Sequence, residues 1–279
     1  MIEEINPSAD GKWLYYTSGV GGHANLYRQR LPVGDPEQIT STPSDDLFPA
    51  PSPDGREVAF HSWRSGSRDV YVMPLDGGPL QQVTSSPRQE AQSRWSPDGK
   101  SLTFTMFATG GVWVVRRDAT GVWGKPVSRS ATGSWPVWSP DGRWIAFTSY
   151  FLGGSLMVVG PDSGAPRVVL DSTTSDRLRV EAVAWSADGS TLYFKSHDVK
   201  GNASFWSIPA AGGRPTLLTR FDDPARPSYR PEWSVGSGHM YFSIDDRQSN
   251  VWVMEATPRR LRRNCFFACF CVVIKVFGE

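Results

Sequence analysis

Hydrophobic residues along this chain come in short alternating runs, each closed by a cluster of Gly, Pro, Ser and Asp. The run Trp144-Ile145-Ala146-Phe147-Thr148 is typical. It follows Ser139-Pro140-Asp141-Gly142, in which Pro presets a type I turn, Asp bonds the local backbone and Gly accepts the left-handed conformation. The pattern predicts a hairpin that leads into an aromatic and β-branched strand. Helix-period patterns of useful length are absent. A lone hairpin is unstable in water, so other strands must complete the sheet.

The unit recurs. PSADGKWLYYTS starts at Pro7, PSPDGREVAFHS at Pro51, WSPDGKSLTFTM at Trp95, WSPDGRWIAFTS at Trp138, WSADGSTLYFKS at Trp185 and WSVGSGHMYFSI at Trp233. Counted at Asp10, Asp54, Asp98, Asp141, Asp188 and Gly236, the spacings are 44, 44, 43, 47 and 48 residues. A third strand follows in each unit (NLYR from Asn25, DVYVM from Asp69, GVWVV from Gly111, SLMVV from Ser155, SFWSI from Ser204, NVWVM from Asn250). In the first five a fourth follows (EQIT, QQVT, KPVS, RVVL, TLLT). Four strands in about 45 residues is the blade of a β-propeller. The expectation is an all-β, six-bladed propeller of four-stranded antiparallel blades over 1–257. Its blades start near 1, 46, 90, 133, 180 and 228, and an atypical tail covers 258–279.

Trp95, Trp138, Trp185 and Trp233 end the innermost strands, where they would fill the wedge between blades. The first two units lack this Trp, and the sixth replaces Asp-Gly with Gly236-Ser237. The repeated W-S-P-D-G motif followed by an apolar strand resembles the TolB-like propeller repeats over about Pro7 to Met254. More loosely, it resembles the N-terminal propeller of prolyl-oligopeptidase-type peptidases. The resemblance implies a bacterial, periplasmic or extracytoplasmic setting and a protein or peptide partner, within a larger protein. Fold does not fix function, however. A gating propeller of a peptidase without its catalytic domain and a sensor propeller of a kinase or transcription regulator are the alternatives.

Composition agrees with a large β core: 39% apolar residues, 12 Trp, 14 Phe, 27 Gly and 22 Pro in 279 residues. A net charge of +1 gives no reason to expect nucleic acid. MIEEINPSAD is not a signal peptide, and no run of about 18 apolar residues suggests a span. The N-terminus has no spare strand to seal the last blade, which predicts an upstream segment. The fourth strand of blade six is replaced by a tail with Arg259, Arg260, Arg262, Arg263 and all three cysteines. Part of it near 261–267 would supply the outer strand. The other readings are a membrane-associating segment, which is the less favoured, and a segment foreign to the domain.

Candidate chemistry is sparse. G-x-S-x-G is absent, and the histidines (His23, His61, His197, His239) have no metal-ligand spacing and read as solvated loop residues. Cys265, Cys269 and Cys271 read as small apolar groups, and the carboxylates of Phe221–Asp223 and Ile244–Asn250 as surface turns. The expectation is a monomeric, non-enzymatic module without cofactor or metal. Strand alternation places the residue before each Trp on the channel side: Arg94, Val137, Ala184 and Glu232. Arg94 and Glu232 are the charged candidates for partner contact. Arg226, Tyr229 and Arg230 form an aromatic and Arg cluster of the kind that dominates binding hot spots.

Overall fold

The computed structural model describes residues 2–19, 22–107, 110–150, 153–173, 178–198, 202–221, 228, 233–236, 238–244, 250–255 and 273–276. Among the described residues the strands form six four-stranded antiparallel sheets, each contiguous in sequence. The innermost strands are Ile2–Pro7, Asp46–Pro51, Glu90–Trp95, Ser134–Trp138, Ala182–Trp185 and Trp233–Gly236. They lie side by side in that order around an axis, and the last lies next to the first. The sixth sheet takes its outer strand from Val273–Val276, paired with Asn250–Glu255. That is further along the tail than the 261–267 expected from spacing, and 256–272 lie outside the described residues.

The turn between first and second strands is built from its own side chains. In the fourth sheet Gly142 N–H donates to the Ser139 carbonyl (2.9 Å), and Gly142 sits at φ 70°, where only Gly is free of strain. Ser139 Oγ donates to Asp141 Oδ1 (2.6 Å) and accepts from Trp144 N–H (2.9 Å). Asp141 Oδ1 also accepts from Arg143 N–H (3.0 Å). The same Ser–Asp clasp recurs at Ser8–Asp10, Ser52–Asp54, Ser96–Asp98 and Ser186–Asp188. These hydrogen bonds hold the Asp141 and Asp188 carboxyls down at about 2. Ser139→Ala should cost about 1 kcal/mol, the value of one lost turn hydrogen bond with a half-buried N–H left over. Urea unfolding measures it.

The sixth turn differs for a packing reason. A Cβ on Gly236 would lie 2.5 Å from the Pro7 ring of the first sheet. Beside it Ser234 Oγ donates to the Ile5 carbonyl (2.8 Å). The absence of a side chain at Gly236 therefore lets the last sheet reach the first.

Neighbouring sheets are joined by hydrogen bonds as well as by apolar packing. Trp95 Nε1 donates to the Ala50 carbonyl (3.0 Å), Trp185 Nε1 to Val137 (3.2 Å) and Trp233 Nε1 to Ala182 (3.2 Å). Each acceptor lies on the inner strand of the preceding sheet. Four inner strands also carry a bulge, with Glu4, Phe48, Gln92 and Trp135 at φ 58–61°. These non-glycine residues occupy the same place in each repeat, and such left-handed positions are strained. Compensation comes from across the sheet boundary: Glu4 Oε2 accepts from Phe48 N–H (2.5 Å), and Gln92 Oε1 from Trp135 N–H (3.1 Å).

Candidate binding cavity on the propeller axis

The C-terminal ends of the six inner strands enclose a cavity of about 530 Å³. Every sheet contributes: Asn6 and Pro7, Ala50 and Pro51, Arg94 and Trp95, Val137 and Trp138, Ala184 and Trp185, Trp233 and Ser234. The turn residues Pro53, Pro97, Pro140 and Ala187 form the rim. The repeat thus brings four Trp rings and a set of prolines to one place, because inner strand and turn keep the same register in each unit. A concave, mostly apolar wall with a few polar groups, in this volume range, suits ligand binding.

Phe48 and Trp135, from non-adjacent sheets, meet at 5.5 Å between ring centroids. They share one apolar cluster with Ala184, Phe205, Trp233 and Phe242. His61 stacks on Phe48 at 5.0 Å and lies edge-on to Trp63 at 5.6 Å. It is fully buried, and neither ring nitrogen has a hydrogen-bond partner. Burial, with Arg68 nearby, holds its pKa well below the usual value, so the ring is neutral.

Alternation had placed Arg94, Val137 and Ala184 toward the channel, and all three line the cavity. The Trp side chains line it too, so each both plugs a sheet boundary and shows an edge to the axis. Glu232, Arg226, Tyr229 and Arg230 lie outside the described residues. Arg94 is the only charged residue among the described lining residues. Burial pulls its pKa down to about 10, opposed by the Glu4 carboxylate, so it remains a cation at neutral pH.

The expectation of solvated loop histidines holds for His23, which is exposed 3.6 Å from Asp45. It fails for His61 and His197. His197 Nδ1 lies 2.6 Å from Glu181 Oε2, and its Nε2 lies 2.6 Å from the Ser228 carbonyl. Both ring nitrogens therefore face oxygen atoms at hydrogen-bond distance. Beside it the fully buried Lys195 donates to the Ser228 carbonyl (2.9 Å) and to Ser228 Oγ (2.8 Å). Ser228 Oγ itself donates to the Ser243 carbonyl (2.7 Å). The hydroxyl proton is held by a carbonyl, and the lysine acts as donor.

A signal for these residues was present in the repeat. The position after the second-strand aromatic reads Thr17, His61, Thr105, Thr148, Lys195 and Ser243. The first five are fully or almost fully buried. Thr17 and Thr105 donate to Glu4 and Gln92. An ionisable residue where the other repeats carry a hydroxyl marks a departure from pure scaffold.

Residues 5–175 match the family model of the TolB beta propeller domain. The chain belongs to the TolB β-propeller family. No curated protein matches its sequence. Among solved structures, a putative TolB from Agrobacterium tumefaciens is 25% identical with a TM-score of 0.66, covering 79% of this chain and 81% of that one. TolB from Acinetobacter baumannii is 22% identical with a TM-score of 0.61, covering 78% of this chain and 54% of that one. This TolB-family chain therefore spans about half the length of the Acinetobacter protein. A puromycin-hydrolysing peptidase from Mycobacterium tuberculosis is 14% identical with a TM-score of 0.62, and the match covers 91% of this chain and 44% of that one. At that identity the likeness is one of fold alone.

Proposed function

We propose that the chain is a non-catalytic, extracytoplasmic binding propeller whose six sheets act as one closed ring. A segment of a partner protein or peptide enters the axial cavity from the turn face. The observation that carries this reading is the cavity itself, with Trp and Pro contributed by successive repeats around one cation among the described lining residues. Aromatic rings and Arg are the residue types that concentrate binding energy. Membership of the TolB family supports an extracytoplasmic bacterial setting and a protein partner, and the share of the Acinetobacter TolB that this chain covers supports a larger parent protein. The buried Lys195–Ser228 pair, whose donors are already committed, supports a role without chemistry.

Selection of a displayed peptide library on the immobilised protein tests the reading. Ala187 is exposed on the cavity rim, so Ala187→Trp should obstruct entry without disturbing the core. Selected peptides are expected to bind this variant at least about tenfold more weakly, as loss of a central contact does. Unchanged affinity would move the contact elsewhere, and peptide hydrolysis by the purified chain would overturn the non-catalytic reading. A second reading, the gating propeller of a peptidase, draws on the likeness to the Mycobacterium enzyme, whose length this chain half covers. It requires that the parent reading frame encode a hydrolase domain.

A further inference from the structure

The boundary between third and fourth sheets breaks the pattern of the others. At three boundaries a Trp Nε1 donates to the preceding inner strand. At this one Trp138 Nε1 is buried and has no acceptor. Trp138 is 8% exposed and lines the axial cavity. Arg94 lies at the same boundary and lines the same cavity. Among the described residues its hydrogen bonding is limited to one contact, Nη1 to the neighbouring Ser93 carbonyl (3.0 Å). The rest of the guanidinium fork has no acceptor, and no described lining residue is acidic.

Two donors with unmet capacity thus meet in an apolar-walled space. Leaving most of a half-buried guanidinium fork without a hydrogen-bond acceptor is costly even with the Glu4 charge acting on it, and so is an orphaned indole N–H. An anion entering from the turn face would relieve the first cost directly. Guanidinium geometry favours a planar, two-oxygen acceptor held by parallel N–H···O bonds. The Trp and Pro walls offer apolar contact to whatever carries the anion, and they offer nothing to a polyanionic backbone. Among the described lining residues one cation matches a single charge rather than a phosphate-rich ligand.

We infer that Arg94 receives a carboxylate of the partner peptide, with the flanking residues of that peptide packed on Trp95 and Trp138. This rests on the peptide-binding reading above and names the chemistry of its ligand. The carboxylate can belong to an Asp or Glu side chain or to a peptide C-terminus, and both present the same two oxygens.

The test uses the full chain and its intrinsic Trp fluorescence, since four rings line the site. The probes are two matched pairs. Ac-Gly-Leu-Glu-Gly-NH2 is compared with its Gln counterpart, and Ac-Gly-Pro-Leu-OH with its C-terminal amide, with acetate as the minimal anion. In at least one pair the acid should bind about tenfold or more tightly than its amide, the usual worth of a charge-assisted pair. The pair that shows the difference identifies the source of the carboxylate. Arg94→Gln should abolish the preference for the acid, so that acid and amide bind alike. Arg94→Lys, which keeps the charge but loses the fork, should recover only part of it. The thermal midpoint of each variant shows that the fold survives, and Arg94→Lys provides the readout if Arg94→Gln does not fold. Acid and amide binding equally would overturn the carboxylate inference and leave peptide binding intact. A cavity that takes neither member of either pair, nor acetate, at millimolar concentration would overturn both.

Discussion

Replacing Trp95 with alanine is expected to lower the unfolding free energy by about 4 kcal/mol, in the range measured for large aromatic side chains removed from cores. Trp95 is 7% exposed and packs on Ala50, Ala59, Val72, Leu102 and Val115. It therefore fills the space between second and third sheets from both sides. Its Nε1 stitches the third sheet to the Ala50 carbonyl, and that acceptor would be orphaned as well. The Arg117 guanidinium lies over its ring at 5.0 Å and bridges to Glu57 of the second sheet at 2.7 Å, so the substitution also loosens an ion pair across the same boundary. The conservative replacement separates hydrogen bond from volume. Trp95→Phe should cost more than Trp138→Phe, because Trp138 has no hydrogen bond to lose and its orphan donor would disappear. Chemical denaturation of the four proteins measures this. Equal costs for the two Phe variants would mean that the Nε1 stitches contribute nothing.

The same comparison shows which parts of the fold were legible in the sequence. The Ser-Pro-Asp-Gly turns were, because their chemistry is local: Pro140, Asp141 and Gly142 specify the backbone within four residues. The wedge role of the tryptophans was also legible, from their size and their place at the end of the inner strand. Their Nε1 bonds were not, since the acceptor lies some 45 residues away on a strand whose depth no pattern states. The bulges at Glu4, Phe48, Gln92 and Trp135 were hidden for a related reason. Left-handed backbone is normally announced by Gly or Asn, and here it is held by side chains from the adjoining sheet.

For the site, period-two alternation was enough to send Arg94, Val137 and Ala184 toward the axis. It could not show that Trp138 would miss its acceptor, and that absence gives Arg94 its unusual surroundings. The long connection with Arg226, Tyr229 and Arg230 drew attention by residue type alone. That connection lies outside the described residues, and the described lining of the cavity comes from residues that looked like scaffold because the repeats share them. Gly236 is the reverse case: an apparent defect in the sixth motif that the approach of Pro7 explains.

Two buried groups should give the stability curve opposite slopes in mildly acidic solution. Glu90 is fully buried, and burial beside the Asp69 carboxylate raises its pKa to about 7. Ser86 and Thr84 donate to it, and the Arg68 charge acts on it from the second sheet. Between about pH 4.5 and 7 the unfolded chain has lost this proton while the folded chain keeps it. Stability therefore falls as pH rises through that window, by up to about 1.4 kcal/mol per pH unit, and the loss is complete above it. His61 works the other way. Its folded pKa is well below 6.5, so below that pH the unfolded chain takes up a proton that the folded chain refuses. Stability then falls as pH drops, with a similar slope. From about pH 4.5 to 6.5 the two contributions offset each other in the native protein. Glu90→Gln should uncover a curve that rises with pH across this window. His61→Phe, which preserves the stack on Phe48, should uncover one that falls. Thermal midpoints of the three proteins from pH 4.5 to 8 measure both slopes. If Glu90→Gln leaves the curve unchanged, the carboxyl is ionised in the folded state.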